Sequence, residues 1–176
     1  MIRSHNIAGN IYRSSESFQE LEKDFLELEW YEADKGILRR FTTGGREIGF
    51  RNQTAQSLEN GDVIFRDTSL CVAIRILPCL CLVIHPANML EMANVCFEIG
   101  NRHLPVSIRS SSEVVIAYED PLYRLLVKQG YHTVIEDRVL QQTQTLRIHE
   151  WTQKTKFKIT LASKINESFV DPAADQ

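Results

Sequence analysis

Leu80-Cys81-Leu82-Val83-Ile84-His85-Pro86-Ala87-Asn88-Met89-Leu90-Glu91-Met92-Ala93-Asn94-Val95-Cys96-Phe97-Glu98-Ile99-Gly100 decides the architecture of the second half of this chain. Residues 80–84 form an apolar run of strand length. His85-Pro86 interrupts it, because the residue before a proline disfavours helical geometry. Over residues 87–99, Met89, Leu90, Met92, Ala93, Val95, Cys96 and Ile99 recur at three- and four-residue intervals, which predicts a helix with a broad apolar face. Gly100 is expected at the C′ position that ends it. Working outward, Leu104, Val106 and Ile108 alternate as a strand, and Val114-Val115-Ile116 reads as another. Residues 121–129 predict a second helix, with Pro121 in its first turn and Gly130 stopping it. Val134-Ile135 opens a last strand. The order strand, helix, strand, strand, helix, strand is the split βαβ, ferredoxin-like pattern.

Upstream of Pro78 the pattern is different. Leu26, Leu28 and Trp30 alternate with Glu27 and Glu29, the period of a half-buried strand. Thr43-Gly44-Gly45-Arg46 lies between Ile37-Leu38-Arg39-Arg40-Phe41 and Glu47-Ile48-Gly49-Phe50-Arg51, and two adjacent glycines there predict a hairpin. Asn60-Gly61-Asp62 and Asp67-Thr68-Ser69 are further turns, each leading into an apolar run. The expected fold class is therefore α+β: a small β-rich N-terminal domain at residues 1–77, a ferredoxin-like βαββαβ domain at residues 78–165, and a frayed tail at residues 166–176. Phe157, Ile159 and Leu161 suggest a late strand within the second domain.

Composition narrows the function. The chain has 176 residues, 43% of them apolar and 24% charged, as in globular proteins. A net charge of −3 is the wrong sign and size for a general nucleic-acid binder. The longest apolar stretch, near residues 76–84, falls far short of the roughly 20 residues needed to cross a bilayer. Met1-Ile2-Arg3-Ser4-His5-Asn6 has no apolar signal core, so the expectation is a cytoplasmic protein with no membrane partner.

Familiar catalytic and nucleotide-binding motifs are missing. There is no G-x-x-x-x-G-K-[ST], G-x-G-x-x-G, H-E-x-x-H or G-x-S-x-G in the sequence. Cys71, Cys79, Cys81 and Cys96 match neither zinc-ribbon nor C-x-x-C spacing and read as small buried side chains. Cys81 and His85 could be imagined as a nucleophile pair, but nothing supplies an orienting third group. The reading is a non-enzyme.

One segment is more specific: Cys96-Phe97-Glu98-Ile99-Gly100-Asn101-Arg102-His103-Leu104-Pro105-Val106. Here the chain resembles the UreE family of urease accessory proteins, which are nickel metallochaperones. The likeness extends to Leu28-Glu29-Trp30, Arg46-Glu47-Ile48-Gly49, Asn60-Gly61-Asp62-Val63 and Phe157-Lys158-Ile159-Thr160-Leu161-Ala162-Ser163, and covers about residues 20–165. It implies an N-terminal domain similar to a chaperone peptide-binding module. It further implies a C-terminal domain that forms a homodimer and carries Ni²⁺ to apo-urease, with other accessory proteins, including a GTPase, as partners. Zn²⁺ and Cu²⁺ are also taken by imidazole.

From spacing alone, His103 reads as a favourable charge at a helix C-terminus. The resemblance makes it the metal ligand at the dimer axis, where a two-fold operator presents one side chain twice. His149 corresponds loosely to a histidine that joins the site in short-tailed relatives, and a solvated loop histidine accounts for it equally well. His85 and His132 have weaker claims. Tyr118-Glu119-Asp120 stands where other relatives carry additional histidines, and the chain ends Val170-Asp171-Pro172-Ala173-Ala174-Asp175-Gln176 instead of in a histidine-rich tail. Few ions per dimer and no storage role follow. The alternative reading is a metal-free peptide-binding adaptor that dimerises through its C-terminal domain.

Overall fold

The computed structural model describes residues 1–13, 18–54 and 56–146. The elements are β1 (Ile2–Ser4), β2 (Glu22–Leu28), β3 (Ile37–Phe41), β4 (Glu47–Arg51), β5 (Val63–Arg66), β6 (Leu70–Ile76), β7 (Cys79–Ile84), α1 (Met89–Asn101), β8 (Ser107–Ser110), β9 (Glu113–Ala117), α2 (Asp120–Lys128) and β10 (Thr133–Arg138). The His149 and late-strand expectations lie outside the described residues.

The first half is β-rich, as the turn pattern predicts, and is built as two three-stranded sheets, ordered β1-β4-β3 and β2-β6-β5. Both contain a parallel pair: β1 with β4, and β2 with β6 from Glu22↔Leu70 to Leu28↔Ile76. Leu26, Leu28, Leu38, Ile48, Phe50, Leu58, Ile64, Val72 and Ile74 pack together between them. Trp30 leaves the strand pattern and sits in a single turn of 3₁₀ helix at Trp30–Glu32.

The β3–β4 hairpin forms around one carboxylate. Asp24 on β2 accepts from the Gly44 N–H at 2.7 Å, the Thr42 hydroxyl at 2.6 Å, the Thr43 hydroxyl at 3.0 Å and the Arg46 guanidinium at 2.9 Å. A Cβ at Gly44 would fall 2.7 Å from an Asp24 oxygen, so close approach requires glycine there, whereas Gly45 supplies the positive φ of +77°. Burial by itself would raise the Asp24 pKa; the hydrogen bonds from Thr42, Gly44, Arg46 and Phe25 overcome it and hold the group near about 2. Glu32 is likewise held near about 2, by Arg40 first and Lys35 second.

The second half has the ferredoxin-like arrangement. Its antiparallel sheet is ordered β10-β7-β9-β8, with β7 joined to β8 through α1 and β9 to β10 through α2. Met92, Val95 and Ile99 of α1 and Leu122 and Leu126 of α2 pack with Leu82, Ile84, Val114 and Ile116. On the other side of the sheet, Cys81, Val83, Val115 and Leu140 cluster with Trp30 from the first half.

Two local expectations are corrected. Gly100 does not end α1, which continues to Asn101. The strand after it begins at Ser107: Leu104 packs on the helix-side core and Val106 makes only an isolated bridge with Leu146. Among the described residues no helix is long and apolar enough to cross a membrane.

Candidate metal centre

α1 carries His103 to its position. The helix starts where the Asn88 side chain accepts from the Glu91 N–H at 3.0 Å, while the Glu91 carboxylate accepts from the Ala87 N–H at 2.8 Å. At the far end Arg102 is the C-cap and His103 the next residue. The His103 N–H donates to Gly100 O at 2.9 Å and the Leu104 N–H to Ile99 O at 3.3 Å. These are the two bonds of a Schellman motif, with His103 at C′, the position glycine usually fills. Its φ is +56°, the one positive φ of a non-glycine among the described residues.

Left-handed geometry costs an L-residue about 1–2 kcal/mol. Two kinds of contact offset that cost. The buried side chains of Met92, Val95 and Ile99 anchor the helix, each worth roughly 1.5–3 kcal/mol. Arg102 also ties back to Glu98, reaching its carboxylate at 2.7 Å and its carbonyl at 2.9 Å. Beyond the turn, Leu104 is packed on the core, and Val106 and Leu146 exchange N–H···O bonds of 3.1 and 2.7 Å. His103 is therefore an exposed imidazole on a rigid backbone. The negative end of the helix dipole lies beside it and favours a cation there.

The other candidates divide. Among the described residues no three His, Cys, Asp or Glu side chains converge on one metal position. Burial pushes the pKa of the Cys71, Cys81 and Cys96 thiols up, and that of Cys79 up to about 12. These thiols stay protonated at neutral pH, which makes them poor ligands and nucleophiles. Four strand residues also set Cys81 and His85 about 13 Å apart along the chain, which dissolves the imagined catalytic pair. Glu119 caps α2 by accepting from the Leu122 N–H at 2.6 Å, and Asp120 pairs with Arg124 at 2.8 Å. The Tyr118-Glu119-Asp120 segment is thus committed to helix α2. His85 and His132, 47 positions apart in sequence, come together across β7 and β10, with ring centres 5.1 Å apart. No sequence spacing could have signalled that pairing.

The chain is thus an α+β protein with a β-rich first half, a ferredoxin-like second half and an exposed histidine fixed just after a helix. Residues 5–77 match the family description "UreE urease accessory protein, N-terminal domain", and residues 80–154 match the C-terminal domain of the same family. The chain is 41% identical over 112 residues to the urease accessory protein UreE of Acetivibrio thermocellus, covering 64% of this chain and 72% of that one. It is 40% identical over 111 residues to that of Flavobacterium johnsoniae, covering 62% and 67%. With that of Helicobacter acinonychis it shares 32% over 143 residues, covering 80% and 84%. The chain belongs to the UreE family of urease accessory proteins, and it is an accessory protein, not an enzyme.

Proposed function

We propose that this protein is a cytoplasmic homodimeric nickel carrier that binds Ni²⁺ through His103 of each subunit and hands it to apo-urease together with the other urease accessory proteins, including the accessory GTPase. The observation that carries the reading is His103 itself. A histidine stands where glycine would relieve the backbone, and such an outlier argues from structure to function.

One imidazole per chain cannot hold an ion selectively, whereas two copies across a two-fold axis make a pair with open coordination positions. A pair of that kind suits a carrier that must release its cargo, since closed four-ligand sites are structural. The outward side of α1 exposes Met89, Leu90 and Phe97, apolar surface of the sort a second copy would cover. His149 is proposed as a further ligand. In sequence it stands three positions after Leu146, the residue that bridges Val106 on the segment that follows His103. In this reading residues 78–165 bind metal and dimerise, residues 1–77 meet partner chains, and residues 166–176 do neither.

Calorimetric titration of Ni²⁺ into the wild type and His103→Ala tests the proposal. The variant should lose the tightest class of sites, at one ion per dimer; unchanged affinity and stoichiometry would remove His103 from the site. The metal-free adaptor reading keeps one supporting observation: Ile37 and Phe41 are 71% and 68% exposed on β3, an edge strand. Capture of urease components that persists unchanged after chelation, by a protein that binds no divalent ion, would favour it.

A further inference from the structure

The paired strands β7 and β10 run in register from Cys79↔Arg138 to Ile84↔Thr133. His85 and His132 carry that pairing one step further, joined by a His85 N–H to His132 C=O bond of 2.9 Å. Directly opposed residues on neighbouring antiparallel strands hold their Cβ atoms about 4.5–5.5 Å apart on one side of the sheet. The two imidazoles accordingly lie with ring centres 5.1 Å apart and planes inclined at 32°. His132 is exposed and His85 half-buried, so the pair is open to solvent and yet backed by the sheet.

From this geometry we infer a second divalent-cation site, built by His85 and His132 within a single chain. An ion about 2.1 Å from a nitrogen of each ring, with the rings spreading at about 90–110°, places the ring centres about 4.5–5.3 Å apart. The observed separation already matches. The ring torsion χ2 is broad, so small rotations direct one nitrogen of each ring at a common point without moving the backbone. Imidazole pairs of this kind take Ni²⁺, Cu²⁺ and Zn²⁺. Among the described residues no third His, Cys, Asp or Glu joins the pair, so the site proposed here is a two-imidazole one.

The site is separate from His103. β7 delivers His85 to the end of the sheet where α1 begins, and the 13 residues of α1 carry the chain back about 20 Å before His103 is reached. The two histidine groups of one chain therefore cannot share an ion. The pair also forms without a partner subunit, so its occupancy is independent of dimerisation.

The test is a calorimetric titration of the full-length metal-free chain with Ni²⁺ alone and Zn²⁺ alone. It compares the wild type, His103→Ala, the double variant His85→Ala/His132→Ala, and the triple variant. His103→Ala should still bind one ion per chain; removing either ring of the pair should weaken that binding by about tenfold or more. The double variant should keep the His103 sites and lose only this class, so failure here and failure of the His103 reading give different patterns. In wild-type protein, substoichiometric paramagnetic Ni²⁺ should broaden the ring resonances of His85 and His132 together, a readout that needs no variant to fold. Equal stoichiometry in His103→Ala and the triple variant, or ring signals of the two residues unaffected by Ni²⁺, would overturn the site.

Discussion

Replacing His103 with glycine should leave the metal-free protein more stable than replacing it with alanine, while either change destroys the proposed metal site. The residue sits at φ +56°, where a side chain costs about 1–2 kcal/mol and glycine costs nothing sterically. Glycine returns about 0.5–1 kcal/mol of that gain, because its unfolded chain has more freedom to lose. The net expectation is about 0.5–1 kcal/mol of stability over alanine, or a Tm roughly 1–4 °C higher for a chain of this size. His103→Ala keeps the left-handed strain, and both variants lose whatever the imidazole itself contacts, so the comparison isolates the backbone. Urea denaturation in chelator reads the difference. The expected order is glycine above alanine, with nickel binding impaired in both variants. A glycine variant less stable than the alanine variant would refute the reasoning. It would mean that a side chain costs nothing at this turn, and the argument from strain to function would fall.

Four further outcomes follow. Asp24 and Glu32 have folded pKa values near about 2, below their ordinary values of 3.8 and 4.5, so they stabilise the protein above about pH 4.5 and that contribution is lost as pH falls toward 2. Asp24→Asn should flatten the acid-unfolding curve over that window and cost about 2 kcal/mol at neutral pH, read by denaturation at each pH. Ile99→Ala, which empties a fully buried position beneath the helix carrying His103, should cost about 2–5 kcal/mol in urea unfolding. Asn88→Ala should lose about 1 kcal/mol through the vacated helix cap. Native protein at pH 8 should alkylate at Cys79 much more slowly than a free thiol does, with urea restoring the rate; fast native labelling would contradict the raised pKa.

The ferredoxin-like half was legible because its signals are local. The apolar period of α1, Pro121 at the start of α2 and the Val114-Val115-Ile116 run of β9 each lie within a short stretch of chain. The end of α1 was misplaced because glycine is the usual stop, and here the chain runs through Gly100 and turns at a histidine instead. Leu104 and Val106 alternate like a strand, yet Leu104 is needed in the core and ladder pairing waits until Ser107. β1 was not foreseen, since Ile2–Ser4 is three residues long and its partner β4 lies more than forty positions away. The parallel pairing of β2 with β6 is hidden for the same reason: sequence period marks a strand but not its neighbour. His103 could be picked out only through its family-like neighbours, and its left-handed backbone is visible only in the structure.

Trp30 belongs to two cores at once, touching the apolar centre of the first half and the Cys81–Val83–Val115–Leu140 cluster behind the second. A shared indole of this kind is a mechanical rivet: prying the halves apart would wet one of the largest side chains in the protein. Heat should therefore melt both halves in a single cooperative step. The emission of that indole would report the event for both halves together, and a partner gripping the N-terminal sheets would be holding the histidine-bearing end by a stiff handle.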